Sequence, residues 1–249
     1  MKTALITGAA RRIGAAMAID LAKNGFNVAI QYTSSEKEAE SLATSLRDYG
    51  VDSVAIEANL LLGDECVSLF SQARETLGTI DCLINNASIF EDDRVTDFDE
   101  SLWDQHFGLH LKAPSILIGE FAKQNMLEHG LVVNMIDQRV RRPNPQFYSY
   151  TLSKSALWTA TRTLAQQLAP NIRVNAIGPG PTLRNARQDE ADFEKQVDGL
   201  ILKRGPELDE FGATVRYLYY NRSITGQMIA LDGGQHLGWE TPDVVGINE

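Results

Sequence analysis

The chain has 249 residues, of which 43% are hydrophobic and 22% charged, with a formal net charge of −10 and a pI of about 4.9. That balance excludes non-specific nucleic-acid binding, which needs clustered cations, while length and apolar content suffice for one large core. Cys66 and Cys82 form no Cys-x-x-Cys pair or Cys/His cluster, so neither a disulfide framework nor a metal site is expected.

Met1-Lys2 runs straight into a strand-like segment, and no apolar run is long enough to cross a bilayer. A cytoplasmic protein with no membrane partner is therefore expected. In chain order, the pattern predicts a strand over 3–7 followed at once by Gly8, a helix over 13–23 ended near Gly25, and a strand over 27–32. A polar helix over 36–48 carries the apolar stripe Ala39, Leu42, Ala43 and Leu46. Next come a strand over 51–56, a helix over 64–77 stopped by Gly78, and a strand over 80–84 running into Asn85-Asn86-Ala87-Ser88. A long helix over 101–126 is marked for a bend by Pro114. A strand over 130–135, a Pro-rich loop over 143–147, a helix over 148–168 and a strand over 172–176 follow. A polar stretch over 182–203 precedes a helix near 208–220 and a last strand over 227–231. Strands of about five residues alternating with helices imply βαβ units. The expectation is an α/β fold, one domain over 1–249 with a doubly wound, mostly parallel, seven-stranded sheet.

Thr7-Gly8-Ala9-Ala10-Arg11-Arg12-Ile13-Gly14 joins the first strand to the first helix. Such a turn aims helix N-terminal N–H groups at a pyrophosphate, Gly8 permitting the turn and Gly14 the close packing. No Lys-Ser/Thr follows the second glycine, so the loop is not a Walker motif. NAD sites commonly place an acid at the end of the second strand. Here the segment is Gln31-Tyr32-Thr33-Ser34-Ser35, and the first acid is Glu36. Hydroxyls without an acid, with Arg11 and Arg12 nearby, suit a 2′-phosphate and favour NADP(H). Thr33, Ser34 and Ser35 would also serve as caps for the following helix.

Tyr150 and Lys154 stand four apart in Tyr148-Ser149-Tyr150-Thr151-Leu152-Ser153-Lys154, hence on one helix face. An ammonium beside a phenol lowers the tyrosine pKa, making Tyr150 a candidate acid/base. Tyr148 falls on another face.

Together, the Gly8 loop, Asn85-Asn86-Ala87, Tyr150/Lys154, Asn175-Ala176-Ile177-Gly178-Pro179-Gly180 and Asp232-Gly233-Gly234 resemble the short-chain dehydrogenase/reductase family over essentially the whole chain. The resemblance implies a Rossmann-type sheet, a nicotinamide cofactor and hydride transfer. Tyr150 would be the acid/base. Lys154 would hold the cofactor ribose. Asn86, Ala87 and Ser88 would line the cofactor, and Pro179 and Gly180 would pass beside its carboxamide. Ile13, Tyr32 and Leu60 belong to the same expected binding surface, and Asn59 replaces the family's adenine-contacting acid.

Three departures point to the pteridine reductase branch, which includes dihydromonapterin and dihydrofolate reductases. Arg12 stands where the family usually has a glycine, Asp137 stands where it has a catalytic serine thirteen residues before the tyrosine, and Ser88-Ile89-Phe90 follows the asparagine motif. In that branch the arginine approaches phosphates and substrate, the aspartate works with the tyrosine, and the aromatic stacks on the pterin. Asp92 and Asp93, next to Phe90, read as solvated. His110 stands where the family has a relay asparagine, either as a proton or water holder or as a satisfied core histidine.

Chemistry supports the branch. Ketone reduction builds negative charge on oxygen, which an ionised aspartate can only oppose. A C=N bond passes through a cationic species that a carboxylate stabilises. Asp137 therefore suits a dihydropterin, unless it is a protonated donor or merely pairs with Arg139, Arg141 or Arg142. The leading expectation is an NADPH-dependent pterin C=N reductase. The alternatives are a carbonyl reductase or alcohol dehydrogenase acting on a small ketone, sugar or acyl thioester, and a non-catalytic dinucleotide sensor. The family resemblance also implies a homotetramer or homodimer, with Ala113, Leu117, Phe121, Leu157, Thr161 and Leu164 as its candidate surface. The stretch 182–203 would be a substrate lid.

Overall fold

A computed structural model describes residues 2–124, 128–184 and 187–246. Seven strands form one sheet: β1 (Lys2–Ile6), β2 (Phe26–Tyr32), β3 (Ser53–Glu57), β4 (Cys82–Asn85), β5 (Gly130–Met135), β6 (Ile172–Pro179) and β7 (Met228–Leu231). Their order is β3-β2-β1-β4-β5-β6-β7 and every pairing is parallel. All residues of β2 and of β5 are buried, because helices cover both faces of a parallel sheet. On one face lie α1 (Arg12–Lys23), α2 (Glu36–Arg47) and α8 (Leu208–Tyr220), which bury Met17, Leu21, Leu46, Phe211 and Val215. On the other lie α3 (Gly63–Leu77), α5 (Ala113–Ala122) and α6 (Tyr148–Gln167), burying Leu69, Phe70, Leu117 and Phe121. The strand order reverses between β1 and β4, so a crevice opens beyond the carboxyl ends of those strands.

The expected long helix over 101–126 is three pieces up to residue 124, Met126 lying outside the described residues. They are α4 (Glu100–Phe107), a π-helical turn (Gly108–Lys112) and α5. Pro114 has no N–H for the His110 carbonyl and its ring crowds that carbonyl. The chain widens, and Ala113 donates instead to Gly108, five residues back. This widened turn carries His110. β6 extends past residue 176 to Pro179, because Met228–Leu231 pairs with 176–179. Ser35 is the N-cap of α2 but makes no side-chain capping bond, and the Thr33 hydroxyl donates to the Ala58 carbonyl. The expected capping role is thus not filled. Ala113, Leu117, Phe121, Leu157 and Thr161 are buried within the single chain and Leu164 packs on the same core. The apolar stripe proposed as an assembly surface is a core face. Within the stretch 182–203 lies α7 (Glu190–Asp198), and residues 185 and 186 are outside the described ones. Among the described residues, no helix is long and apolar enough to cross a membrane.

Candidate active site

Two cavities meet at Arg12 and Ile13. The first, of about 570 Å³, is lined by Gly8, Arg11, Arg12, Ile13, Gly14, Tyr32, Thr33, Ser34, Asn59, Leu60, Asn86, Ala87 and Ser88, all expected from sequence, and by Ala10, Gln31, Ser35, Leu61, Ile89 and Leu109. Its floor is held by side chains that fix the glycine turn. Gln31 Oε1 accepts from the Gly8 N–H at 2.7 Å, and the Thr7 hydroxyl accepts from Asn86 and Ala87 N–H at 2.9 and 3.0 Å. The Asn86 amide donates to the Thr7 and Gly8 carbonyls. Gly8 has φ +61°, and a Cβ there would meet Ala87 Cα at 2.9 Å. A Cβ at Gly14 would meet the Gly8 carbonyl oxygen at 2.6 Å. The turn therefore closes only with glycine at both places. Arg12 itself has φ +55°, the left-handed conformation that explains the family's glycine at this place.

A dinucleotide fits this cradle. The N-cap of α1, Arg11, makes no side-chain capping bond and the first turn holds no acid, so helix N–H groups and their partial positive charge face the cavity. Arg11 and Arg12 are the charged residues of the lining, and no carboxylate lines it among the described residues. Arg11 pairs with Glu38 on α2, which leaves its guanidinium at the end of β2. Thr33 and Ser34 line the same cavity. Asn59 lines the far end, its backbone N–H given to Glu65 and its Oδ1 accepting from Leu61 N–H.

The second cavity, of about 400 Å³, is lined by Phe90, Asp137, Pro179 and Gly180, together with Arg139, Phe147, Leu183 and Arg187. Asp137 sits directly after β5 and Ile136, and Tyr150 donates its phenol hydrogen to Asp137 Oδ2 at 2.9 Å. The Arg139 N–H donates to Asp137 Oδ1 at 2.8 Å, and the Arg139 Nε lies 3.9 Å from that oxygen. Asp137 thus has both partners weighed in the sequence, the tyrosine and an arginine. Lys154 is buried in the next turn of α6, with Nζ donating to the Met135 carbonyl at 2.9 Å and lying 5.7 Å from the Tyr150 ring centre.

The electrostatics reverse one expectation. Burial, then the Asp137 charge and hydrogen bond, push the Tyr150 pKa well above its ordinary value, and Arg139 and the Ser88 hydroxyl pull it back only in part. Burial and Asp137, rather than the lysine, decide the phenol's charge state. Burial brings Lys154 itself down to about 8, against a weaker upward pull from Asp137. Burial also raises Asp137, opposed by the Arg139 N–H and charge.

His110 lies 1% exposed beside this pair, its ring edge-on to Tyr150 at 5.4 Å. Its Nε2 accepts from the Ile89 N–H at 3.2 Å and stands 3.0 Å from the Ser88 hydroxyl. An accepting Nε2 puts the proton on Nδ1, which faces Ser153 Oγ at 2.8 Å. Burial holds its pKa well below the ordinary value, so the ring is neutral. It links the loop after β4 to α6.

Phe90 is not free on both faces. Its ring stacks on Phe147 at 4.1 Å and 11°, and meets Tyr150 edge-on at 4.7 Å. Arg187 donates to the Phe90 carbonyl and pairs with Glu91. Asp92 and Asp93 are not both solvated. Asp93 is 6% exposed and both its oxygens accept from the Ser149 N–H, at 3.0 and 3.1 Å, while Asp92 Oδ1 accepts from Phe147 N–H at 2.9 Å. They clamp the N-terminus of α6, where Phe147 has φ +56°. A local reading of sequence misses this clamp, since its partners stand 55 and 56 residues apart. Gln31 and Phe147 are missed for the same reason, although a buried-strand glutamine directly facing a glycine turn is a usable signal.

A family model described as enoyl-(acyl carrier protein) reductase matches residues 8–236. The 3-oxoacyl-[acyl-carrier-protein] reductase FabG of Staphylococcus epidermidis is 32% identical over 243 residues, covering 95% of this chain and 99% of its own. The chain belongs to the short-chain dehydrogenase/reductase family. As such an enzyme it is an NADP-dependent oxidoreductase. Solved structures include the FolM alternative dihydrofolate reductase 1 of Brucella suis with NADP, 56% identical with a TM-score of 0.95, and its Brucella canis counterpart with NADP, 55% identical with a TM-score of 0.93. Each covers 98% of both chains. The likeness lies in the pteridine-reductase-like branch, as Arg12, Asp137 and Phe90 suggest.

Proposed function

We propose that this short-chain dehydrogenase/reductase uses NADPH to reduce a C=N bond of a dihydropterin-type substrate, dihydrofolate included. The observation that carries the reading is the Tyr150–Asp137 hydrogen bond of 2.9 Å at the wall of an aromatic-lined cavity, where the family's serine would stand. The likeness to the FolM alternative dihydrofolate reductases of Brucella, 55% and 56% identical, supports it.

NADPH supplies the hydride. Gly8, Gly14 and the first turn of α1 would hold its pyrophosphate, Thr33, Ser34 and Arg11 its 2′-phosphate, and Lys154 its ribose. Asn59 and Leu60 would take the adenine end, and Asn86, Ala87, Ser88, Pro179 and Gly180 the nicotinamide end. Tyr150 remains a phenol at neutral pH and keeps its hydrogen on Asp137 Oδ2, which fixes the carboxylate beside the reacting nitrogen. Ionised Asp137 stabilises positive charge at that nitrogen. The carboxylate relays to that nitrogen, through Oδ2, a proton drawn from solvent and is itself regenerated, its raised pKa easing the uptake. Phe90 offers the substrate a flat apolar face, and Arg12, whose guanidinium donates to the Leu183 and Arg184 carbonyls, ties the glycine loop to the lid. His110 acts by holding Ser88 and Ile89 against α6.

One observation favours a second reading. Burial raises Asp137, and a protonated Asp137 beside Tyr150 would give two donors for a ketone oxygen, as a 3-oxoacyl reductase requires. Steady-state NADPH oxidation with dihydrofolate and 7,8-dihydropterin, beside a 3-oxoacyl thioester and simple ketones, separates the two. Turnover confined to the carbonyl substrates would defeat the pterin reading.

A further inference from the structure

Arg139 has no part in the chemistry above, yet its side chain reaches both the Asp137 carboxylate and the Phe90–Phe147 stack in the second cavity. It lies in a single 3-10 turn (Gln138–Val140) whose N-cap is Asp137. Its backbone N–H and its guanidinium both address Asp137 Oδ1, at 2.8 and 3.9 Å, while Tyr150 takes Oδ2. The two carboxylate oxygens are therefore sorted, one to the arginine and one to the proton-bearing phenol. The side chain is only 14% exposed although it carries a full charge. A guanidinium so placed must be held by partners.

The other partners are aromatic. The guanidinium carbon lies 4.9 Å from the Phe147 ring centre and 5.4 Å from that of Phe90, and these rings are stacked 4.1 Å apart. A point almost equidistant from two stacked centres lies alongside the stack rather than over its outer face. Arg139 thus braces the pair laterally and leaves the outer faces uncovered by itself. Its NH1 is anchored on Asn144 Oδ1 at 3.2 Å, and Asn144 Oδ1 also accepts from the Gln146 N–H, which fixes the loop leading to Phe147.

We propose that Arg139 is a positioning residue for this reaction, presenting one oxygen of Asp137 to Tyr150 while holding the Phe90–Phe147 stack as a rigid wall for a planar substrate. The proposal rests on the proton-transfer role given to Asp137 above. The charged and titratable groups facing Asp137 among the described residues are Tyr150 and Lys154 from α6 and Arg139 from its own turn. Lys154 also lowers Asp137, but less than Arg139 does, so Arg139 is the larger cationic influence on the carboxylate. A neighbouring opposite charge holds a carboxyl about 1–3 pH units lower. The backbone N–H survives substitution, so removing only the guanidinium corresponds to the low end of that range.

The test is the pH dependence of kcat/KM with NADPH and 7,8-dihydropterin for wild type, Arg139→Met, Arg139→Gln, Arg139→Lys and Asp137→Asn. Activity that needs the carboxylate falls as pH drops through the Asp137 pKa. Without the guanidinium that limb moves to higher pH by about one unit. Arg139→Lys restores the limb because it keeps the charge, but not KM, because an ammonium cannot lie flat along the rings; KM stays several-fold raised in all three variants. A limb that does not move in Arg139→Met or Arg139→Gln, or a lysine variant equal to methionine in both readouts, overturns the proposal. If Asp137→Asn keeps the wild-type rate and limb, the reading of Asp137 fails instead. The proposal is then decided at equilibrium, from the pH dependence of the Tm change caused by Asp137→Asn, measured once with Arg139 in place and once in the Arg139→Met background. The midpoint of that change is expected to move up by about one unit in the second background, and an unmoved midpoint refutes it.

Discussion

Replacing Asp93 by alanine tests how the catalytic helix is held. Asp93 is 6% exposed, and its two oxygens share the Ser149 N–H at the first turn of α6, 3.0 and 3.1 Å away. A hydrogen bond to a charged group is worth about 1.5–3 kcal/mol. A negative charge at a helix N-terminus adds about 0.3–1 kcal/mol. Because the site is buried, water does not replace either contribution, and the expected loss is about 2–4 kcal/mol. For a chain of this size that is a fall in Tm of about 5–12 °C. Asp92→Ala is the control: its carboxylate also bonds an α6-leading N–H, that of Phe147, but it is exposed. It should cost under about 1 kcal/mol. Urea unfolding with a common m-value and scanning of Tm give both numbers. An Asp93→Ala variant within about 0.5 kcal/mol of wild type, or no worse than Asp92→Ala, would refute the clamp.

Two further outcomes follow from the site. Ser34→Asp places a carboxylate at the proposed 2′-phosphate site, and should raise KM for NADPH by about tenfold, near 1.4 kcal/mol of repulsion, while leaving KM for NADH within about twofold; parallel rises for both would contradict the proposed NADP assignment of this end of the cavity. His110 is held neutral by burial, with a pKa well below its unfolded value. The unfolded chain then binds a proton that the folded chain refuses as pH falls below the unfolded value, so stability present above it is lost on acidification. Wild type should lose stability more steeply than His110→Asn between about pH 6.5 and 5, and parallel slopes in urea titrations would argue against a neutral buried ring.

The fold is legible because its signals are local. Short apolar runs such as Leu5-Ile6 and Val132-Val133, punctuated by Gly8, Gly25 and Gly78, announce strands and turns within a few residues of themselves. Tyr150 and Lys154 declare a shared helix face by spacing alone, and Gly8 and Gly14 declare a turn that no Cβ can enter. What the sequence does not announce is long-range or conformational. The Asp92–Asp93 clamp joins α6 to a loop more than fifty residues earlier. The π-helical turn arises from a carbonyl that Pro114 cannot serve, visible beforehand only as a bend. The assembly stripe over Ala113–Leu164 is ambiguous from periodicity, because an amphipathic face looks the same whether a partner or the chain's own sheet covers it. The tyrosine pKa moves against expectation for a related reason: proximity in sequence points to the lysine, whereas burial and Asp137 decide the value.

The central claim is that Asp137, paired with Tyr150, commits this enzyme to C=N rather than C=O reduction. The most direct measurement is NADPH turnover by wild type and Asp137→Ser on dihydrofolate and 7,8-dihydropterin beside a 3-oxoacyl thioester. Wild type should turn over the pterins, and the serine variant should lose at least about a hundredfold on them, the scale of one general acid–base group, and gain on the thioester. A serine variant that keeps its pterin rate, or a wild type that prefers the thioester, would contradict it.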